Sequence, residues 1–377
     1  MVANTDRLDR LDDLRFFACF MVLIFHMPYS PAIGEIKLLF SQLVFFKEGH
    51  SGVAFFCTIS GFIFAHLYYD RDIRYGEFIK RRVMRIVPLF VFVALLGLAL
   101  DGTWTADRVL AALTTIHTGP FVGFAAPAWS VLVEFQFYLL FPFIVLFTKR
   151  YGWSYLVFLI VMFIGLRWTI WLGHGKVRDL SYFTLYGRAD QFLAGMLTAF
   201  SVKHITKKEF SPLLAWLIFA IGAVIVTLAL MKLYQKGGFI GTEKKQIWIF
   251  LPTLEAIGYS LIISGYVLGA KATQRGRVGS LISYLGRISY STYLIHAFVM
   301  YAMRDILYMA PTWEMAIIYF LVMVYPAVVL TSIAVYNLIE KPFLELRPPR
   351  PENTIKALPV TEEAALANPP VPFKLRS

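Results

Sequence analysis

Charge is what this sequence lacks most. Only 16% of its 377 residues are Asp, Glu, Lys or Arg, against 58% hydrophobic, and the mean hydropathy is +0.64. A soluble domain cannot hide that much apolar surface. Repeated apolar runs of about 18 to 25 residues point instead to several transmembrane helices. Cysteine is nearly absent too. Cys19 and Cys57 both fall inside apolar runs, which excludes a disulfide framework and marks each as a packing residue. A cleavable leader is not expected, because Asp6, Asp9, Asp12 and Asp13 stand among the N-terminal arginines and no small-residue cleavage site follows the apolar stretch. There is no phosphate-binding P-loop, zinc-binding HExxH or GxSxG signature, and no metal is expected. The net charge of +12 reports topology in so apolar a chain, and nucleic acid is not an expected partner.

What is present reads as an all-α integral membrane protein with ten spans: about 14–34, 50–69, 84–100, 129–148, 153–172, 182–200, 211–231, 246–269, 284–303 and 312–337. An even number puts both termini on one side. Basic residues at 7–10, 71–85, 149–150, 203–208 and 271–277 and in the tail make that side cytoplasmic. Lys232, Lys236, Lys244 and Lys245 disagree, so 211–269 is the least secure part of this topology. A membrane domain over 1–345 and a disordered, Pro-rich cytoplasmic tail over 346–377 complete the plan. The longest outer loop, 101–128, has room for only a short surface helix. Any chemistry therefore lies among the helices.

Few polar residues enter the apolar runs, and these are the candidates. In "LRFFACFMVLIFH", Arg15 and His26 lie 11 residues apart. That spacing is about three helical turns and about 16 Å of rise, so they share a face at two depths. Taken alone, Arg15 reads as an interfacial arginine whose head snorkels to water. His26 is harder to dismiss, since ionisable groups at depth line polar cavities. In "FIKRRVMRIVPLF", Arg82 and Arg85 lie three apart on one face and suit phosphate oxygens, although a positive-inside flank explains part of this run. Glu134, in "WSVLVEFQFYLLFP", falls at the depth of His26, where a carboxylate orients an imidazole. Arg188 and Asp190 form a candidate ion pair, and Ser289 and His296 share a face of the ninth span. Ser60-Gly61 reads as a small-residue packing pair, and Glu340 as a counter-ion for the arginines. Glu255 and His66 have no role in this reading. The pattern is a bundle with a basic inner mouth and a His/carboxylate cluster nearer the outer face.

The segments "LDDLRFFACFMVLIFH", "FFCTISGF", "RRVMRIVP", "WSVLVEFQFYLLFP", "GRADQFLAGM", "LGRISYSTYLIH" and "NLIEKPF" occur in an order that resembles the bacterial acyltransferase-3 family of membrane O-acyltransferases, over about residues 8 to 345. The resemblance implies transfer of an acyl group, usually acetyl, from cytoplasmic acyl-CoA to a hydroxyl on the far side of the bacterial inner membrane. The acceptor class it implies is a surface polysaccharide, lipopolysaccharide or related glycan or glycolipid. It makes His26 the catalytic base with Arg15 its motif partner, Arg82 and Arg85 the donor-binding pair, which Arg15 joins, and Glu134 the acidic catalytic position of the fourth helix. Ser130, Tyr290, His296 and Asp190 are left as candidates for transition-state or acceptor contacts. The main competing class is a proton-coupled transporter, which the lack of an internal repeat and of paired broken helices disfavours. An acyl-enzyme route through His26 or Cys19 is the other alternative.

Overall fold

The computed structural model describes residues 2–27, 44–101, 128–205, 210–269 and 276–347, and every regular element among them is helical. The long helices are α1 (Val2–Phe25), α2 (Gly52–Tyr68), α3 (Tyr75–Asp101), α4 (Trp129–Tyr151), α5 (Ser154–His174), α6 (Leu185–Ile205), α7 (Pro212–Gln235) and α8 (Ile247–Gly269). After them come α9 (Arg277–Arg287), α10 (Ser289–Ala302) and a final run, α11 (Trp313–Tyr319), α12 (Tyr325–Val335) and α13 (Lys341–Glu345), joined through two π-helical turns. The surface helix expected within 101–128, the stretch 28–34 of the first span and the tail from 348 onward lie outside the described residues.

Among the described residues, seven helices are long and apolar enough to cross a membrane: Gly49–Tyr68, α3, α4, α5, α7, α8 and the continuous run Glu314–Glu345. The other three expected spans fall short for separate reasons. The first half of α1 is charged, α6 carries Arg188, Asp190 and Lys203, and α10 has only 14 residues. The expected ninth span is divided: α9 stops at Arg287, Ile288 takes a non-helical ψ of 5°, and Ser289 opens α10. Gly286, just before the break, lies so close to α1 that a Cβ would fall on the Asp12 carbonyl. The last span runs eight residues beyond its expected end at 337, to Glu345.

Small residues set the central packing. At Gly61 of α2 a Cβ would meet the Phe192 carbonyl of α6, so the packing expected of Ser60-Gly61 is realised in this helix pair. Around it Phe137, Phe141 and Phe192 are buried in one continuous apolar core. At the end of the N-terminal acidic stretch, Asp12 and Asp13 are buried. Asp13 accepts hydrogen bonds from Tyr266 at 2.7 Å and from Ser283 at 2.5 Å, fastening α1 to α8 and α9.

The two ends of the bundle are marked by different contacts. At one, Lys149 reaches the Arg71 carbonyl at 3.0 Å and Lys203 pairs with Asp70. At the other, Lys47 donates to the Tyr234 hydroxyl at 2.6 Å, and Lys176 pairs with Glu243 at 3.1 Å. Beside Lys176 the Glu243 carboxyl is held below its usual range, chiefly by that hydrogen bond. The lysines at 232–245 thus sit at the same end as His50 and the last turn of α1.

Candidate active site

The final turn of α1 closes with the His26 amide on the Val22 carbonyl at 3.1 Å, just past the end of the helix at Phe25. His26 remains exposed, whereas His296 of α10 is fully buried. The two rings meet, His26 Nδ1 to His296 Nε2, at 3.1 Å. The other nitrogen of His296, Nδ1, lies 2.6 Å from the Tyr293 carbonyl. A carbonyl only accepts, so His296 carries its proton on Nδ1 and presents a lone pair at Nε2. In a neutral pair His26 must then donate from Nδ1. That leaves the lone pair of His26 on Nε2, the nitrogen turned away from the pair. One backbone carbonyl thus sets the tautomers of two imidazoles in series.

Neighbouring hydroxyls extend this corner. The Tyr293 and Ser130 hydroxyls are 2.7 Å apart, which joins the start of α4 to the histidine helix. Tyr290, nearly one turn back on α10, donates to the Ile86 carbonyl at 2.8 Å and ties α10 to the arginine helix α3. Cys19, between Arg15 and His26 on α1, is buried and faces the Ser289 carbonyl across 3.7 Å.

The arginine level is built differently. Arg82 lies about two turns inside α3, its guanidinium 4.3 Å from the Phe64 ring centre, with Phe78, Tyr138 and Tyr68 at 5.4, 5.5 and 5.9 Å. It donates to the Tyr68 hydroxyl at 3.3 Å, while its Nε is buried without a partner. An aromatic enclosure of this kind holds a cation by its ring quadrupoles without neutralising it. Arg85 faces Glu340, Glu134 and Asp12. Glu340 accepts from Ser291 at 2.7 Å and also faces Arg347 and Arg15, so its expected place among the arginines holds. The wide turn Tyr336–Glu340 carries this carboxylate into the bundle. Arg15 donates to Asp12 at 3.1 Å.

Two pairings inferred from depth are corrected. Glu134 does not hydrogen-bond His26. It takes the Ser60 hydroxyl at 2.6 Å and that of Tyr138, because α4 packs that face against α2. Asp190 does not pair with Arg188. Its partner is Arg167 of α5, at 2.8 Å, with both side chains wholly buried, and Arg167 also binds Thr253 and the Ile249 and Gly187 carbonyls. Arg188 is aimed instead at Tyr182, Gln191 and, at 3.9 Å, Glu255. The structure therefore joins His26, His296 and Ser130, through Tyr293, and separately gathers Arg15, Arg82, Arg85 and Glu134. It leaves Asp190 in a third cluster.

Sequence reasoning passed over several residues. Arg167 stands in the middle of an apolar run, and the rule that flagged His26 would have flagged it. Glu255, unassigned by the sequence, accepts from Ser51 at 2.5 Å and from Gln191 at 3.1 Å. His50, buried beside Phe25 and 3.0 Å from Glu48, lies within electrostatic reach of His26, but "KEGHSG" reads as a span boundary and gave no signal. Arg347 lies where the tail was expected to begin.

With the site laid out, its relatives can be compared. One curated relative, acyltransferase MdmB of Streptomyces mycarofaciens, is 28% identical over 151 residues, a match covering 36% of this chain and 38% of that protein. No solved structure matches the chain. The profile described as "Acyltransferase domain" (Acyl_transf_3) matches residues 8–335, which include both histidines and the arginines of α3. This integral membrane protein belongs to the acyltransferase-3 family.

Proposed function

We propose that the protein is an acyl-CoA-dependent O-acyltransferase of a bacterial inner membrane, with both termini in the cytoplasm. It moves an acyl group, acetyl foremost, from the cytoplasmic donor to a hydroxyl of a glycan or glycolipid on the far side. The observation that carries this reading is the His26–His296 contact at 3.1 Å beneath an exposed His26. A sugar hydroxyl is a weak nucleophile at neutral pH. A lone pair held on His26 Nε2 takes its proton as the oxygen attacks the thioester carbonyl, a contribution of typically about 10²- to 10⁴-fold. The imidazolium so formed keeps its Nδ1 proton on His296. The proton on Nε2 is then delivered to the departing thiolate, so the site returns to its starting state. The Tyr293 ring lies 5.8 Å from that of His296, and its hydroxyl and that of Ser130 are the candidates to steady the carbonyl oxygen as it gains charge.

The arginine level supports donor binding. The Arg82 guanidinium, enclosed by aromatic rings, suits a phosphate of CoA, and a slender thioester arm spans the about 16 Å of helix rise from the level of Arg15 to His26. Purified protein titrated with acetyl-CoA should show a rising melting temperature, about 2.7 kcal/mol of stabilisation at 100 times the dissociation constant. The Arg82→Ala/Arg85→Ala variant should lose that shift. A well-folded wild-type protein whose melting temperature ignores acetyl-CoA would remove the donor from this account.

A further inference from the structure

We propose that Arg347 is a donor-binding residue, and that it holds the 3′-phosphate at the nucleotide end of acyl-CoA. This rests on the acyl-CoA reading above and goes beyond it by naming the phosphate and the residue that selects it. Nε and Nη2 of Arg347 are both buried and neither has a hydrogen-bond partner. These two nitrogens form one lateral edge of the guanidinium, the edge that grips two oxygens of a phosphate or carboxylate side by side. A buried donor left without an acceptor is costly, and two adjacent ones on a single edge describe the outline of a missing oxyanion.

The surroundings specify the sign and kind of that anion. Arg81, Arg82 and Arg85 all lie within electrostatic reach of Arg347, and Glu340, the carboxylate facing it, also faces Arg85 and Arg15. Burial, and then the neighbouring arginines, hold the Arg347 guanidinium down to about 10. A site with this surplus of positive charge is relieved by a multiply charged ligand more than by a single carboxylate. Position then separates the phosphates. Arg82 lies inside α3 among four aromatic rings, whereas Arg347 lies past the last helical residue, Glu345, at the rim. A linear donor whose thioester leads toward His26 leaves its pyrophosphate beside the arginines of α3. The phosphorylated ribose, at the trailing end, stays at the level of Arg347.

The test is isothermal titration of wild type, Arg347→Ala and Arg347→Gln in detergent with two probes, acetyl-CoA and its 3′-dephospho form. Loss of a charge-assisted, two-point contact should weaken acetyl-CoA about tenfold or more in both variants. The 3′-dephospho ligand should bind all three proteins alike, which also serves as the control for folding. Equal weakening of both ligands, or no weakening of either, would overturn the assignment to the 3′-phosphate while leaving the donor reading in place. Absence of binding by the wild-type protein to either probe would overturn both.

Discussion

The histidine end and the arginine end of this bundle lie about 16 Å apart along α1 by helix rise, yet they satisfy their polar atoms in opposite ways. At the histidine end a run of satisfied hydrogen bonds crosses the site: the Tyr293 carbonyl takes His296, His296 takes His26, and Ser130 meets Tyr293. The outward nitrogen of His26 is left over, as is the buried Nδ1 of His50 beside it. At the arginine end, atoms of Arg82 and Arg347 are buried with no acceptor, and around Arg82 aromatic rings stand where carboxylates would neutralise the charge. A chain of satisfied hydrogen bonds fixes one lone pair and suits the handling of a proton. A set of unsatisfied donors suits an anion that comes and goes. In a third region the buried Arg167 guanidinium meets the Asp190 carboxylate directly, and so marks what a structural ion pair looks like in the same protein.

The comparison can be broken at each of these points. The largest effect is expected at the base. His26→Ala should lower acyl transfer from labelled acetyl-CoA into the glycan fraction of membranes by about 10²- to 10⁴-fold while the melting temperature stays near wild type. Near-normal turnover would take His26 out of the mechanism. Asp190→Ala strands a buried guanidinium and should cost about 3–5 kcal/mol of stability. It should show as poor accumulation and a low melting temperature in detergent. A stable variant that is merely inactive would move Asp190 from the scaffold into the site.

His296 separates positioning from packing. His296→Phe removes the acceptor that holds the His26 Nδ1 proton and should lower kcat by about tenfold to a hundredfold with little change in the KM for donor. His296→Gln, whose amide can accept from His26 and donate to the Tyr293 carbonyl, should recover part of the loss. Equal rates for the two variants would mean that ring packing, not tautomer control, is what His296 supplies. The smallest change expected is at Ser60→Ala, which leaves Glu134 with Tyr138 alone and should cost about 1 kcal/mol of stability. A loss of activity comparable to His296→Phe would instead bring Glu134 into the chemistry.

Much of this was legible before any coordinates. Arg15, His26, Arg82 and Arg85 stand out because charge within apolar runs is rare, and helical spacing alone puts each pair on one face. Depth placed Glu340 among the arginines. Depth failed, however, wherever a partner had to be chosen around the bundle axis. It matched Glu134 with His26 and Asp190 with Arg188, when helix packing delivers Ser60 to the first, which also takes Tyr138 one turn along its own helix, and Arg167 to the second. The division at Ile288 was also hidden, because "GRISYSTYLIH" is apolar enough to read as one span.

The sequence by itself determined that the chain enters a membrane as helices, which residues could bear chemistry there, and at what depth along each helix they stand. Those properties follow from composition and from a fixed rise of about 1.5 Å per residue, which are local to one helix. Only the tertiary structure decided which residues at a given depth touch. It set His296 against His26, Arg167 against Asp190, and the unpartnered edge of Arg347 among the arginines of α3. Azimuth and partner depend on how helices distant in sequence pack, through contacts such as Gly61 on the Phe192 backbone, and no spacing within one helix encodes them.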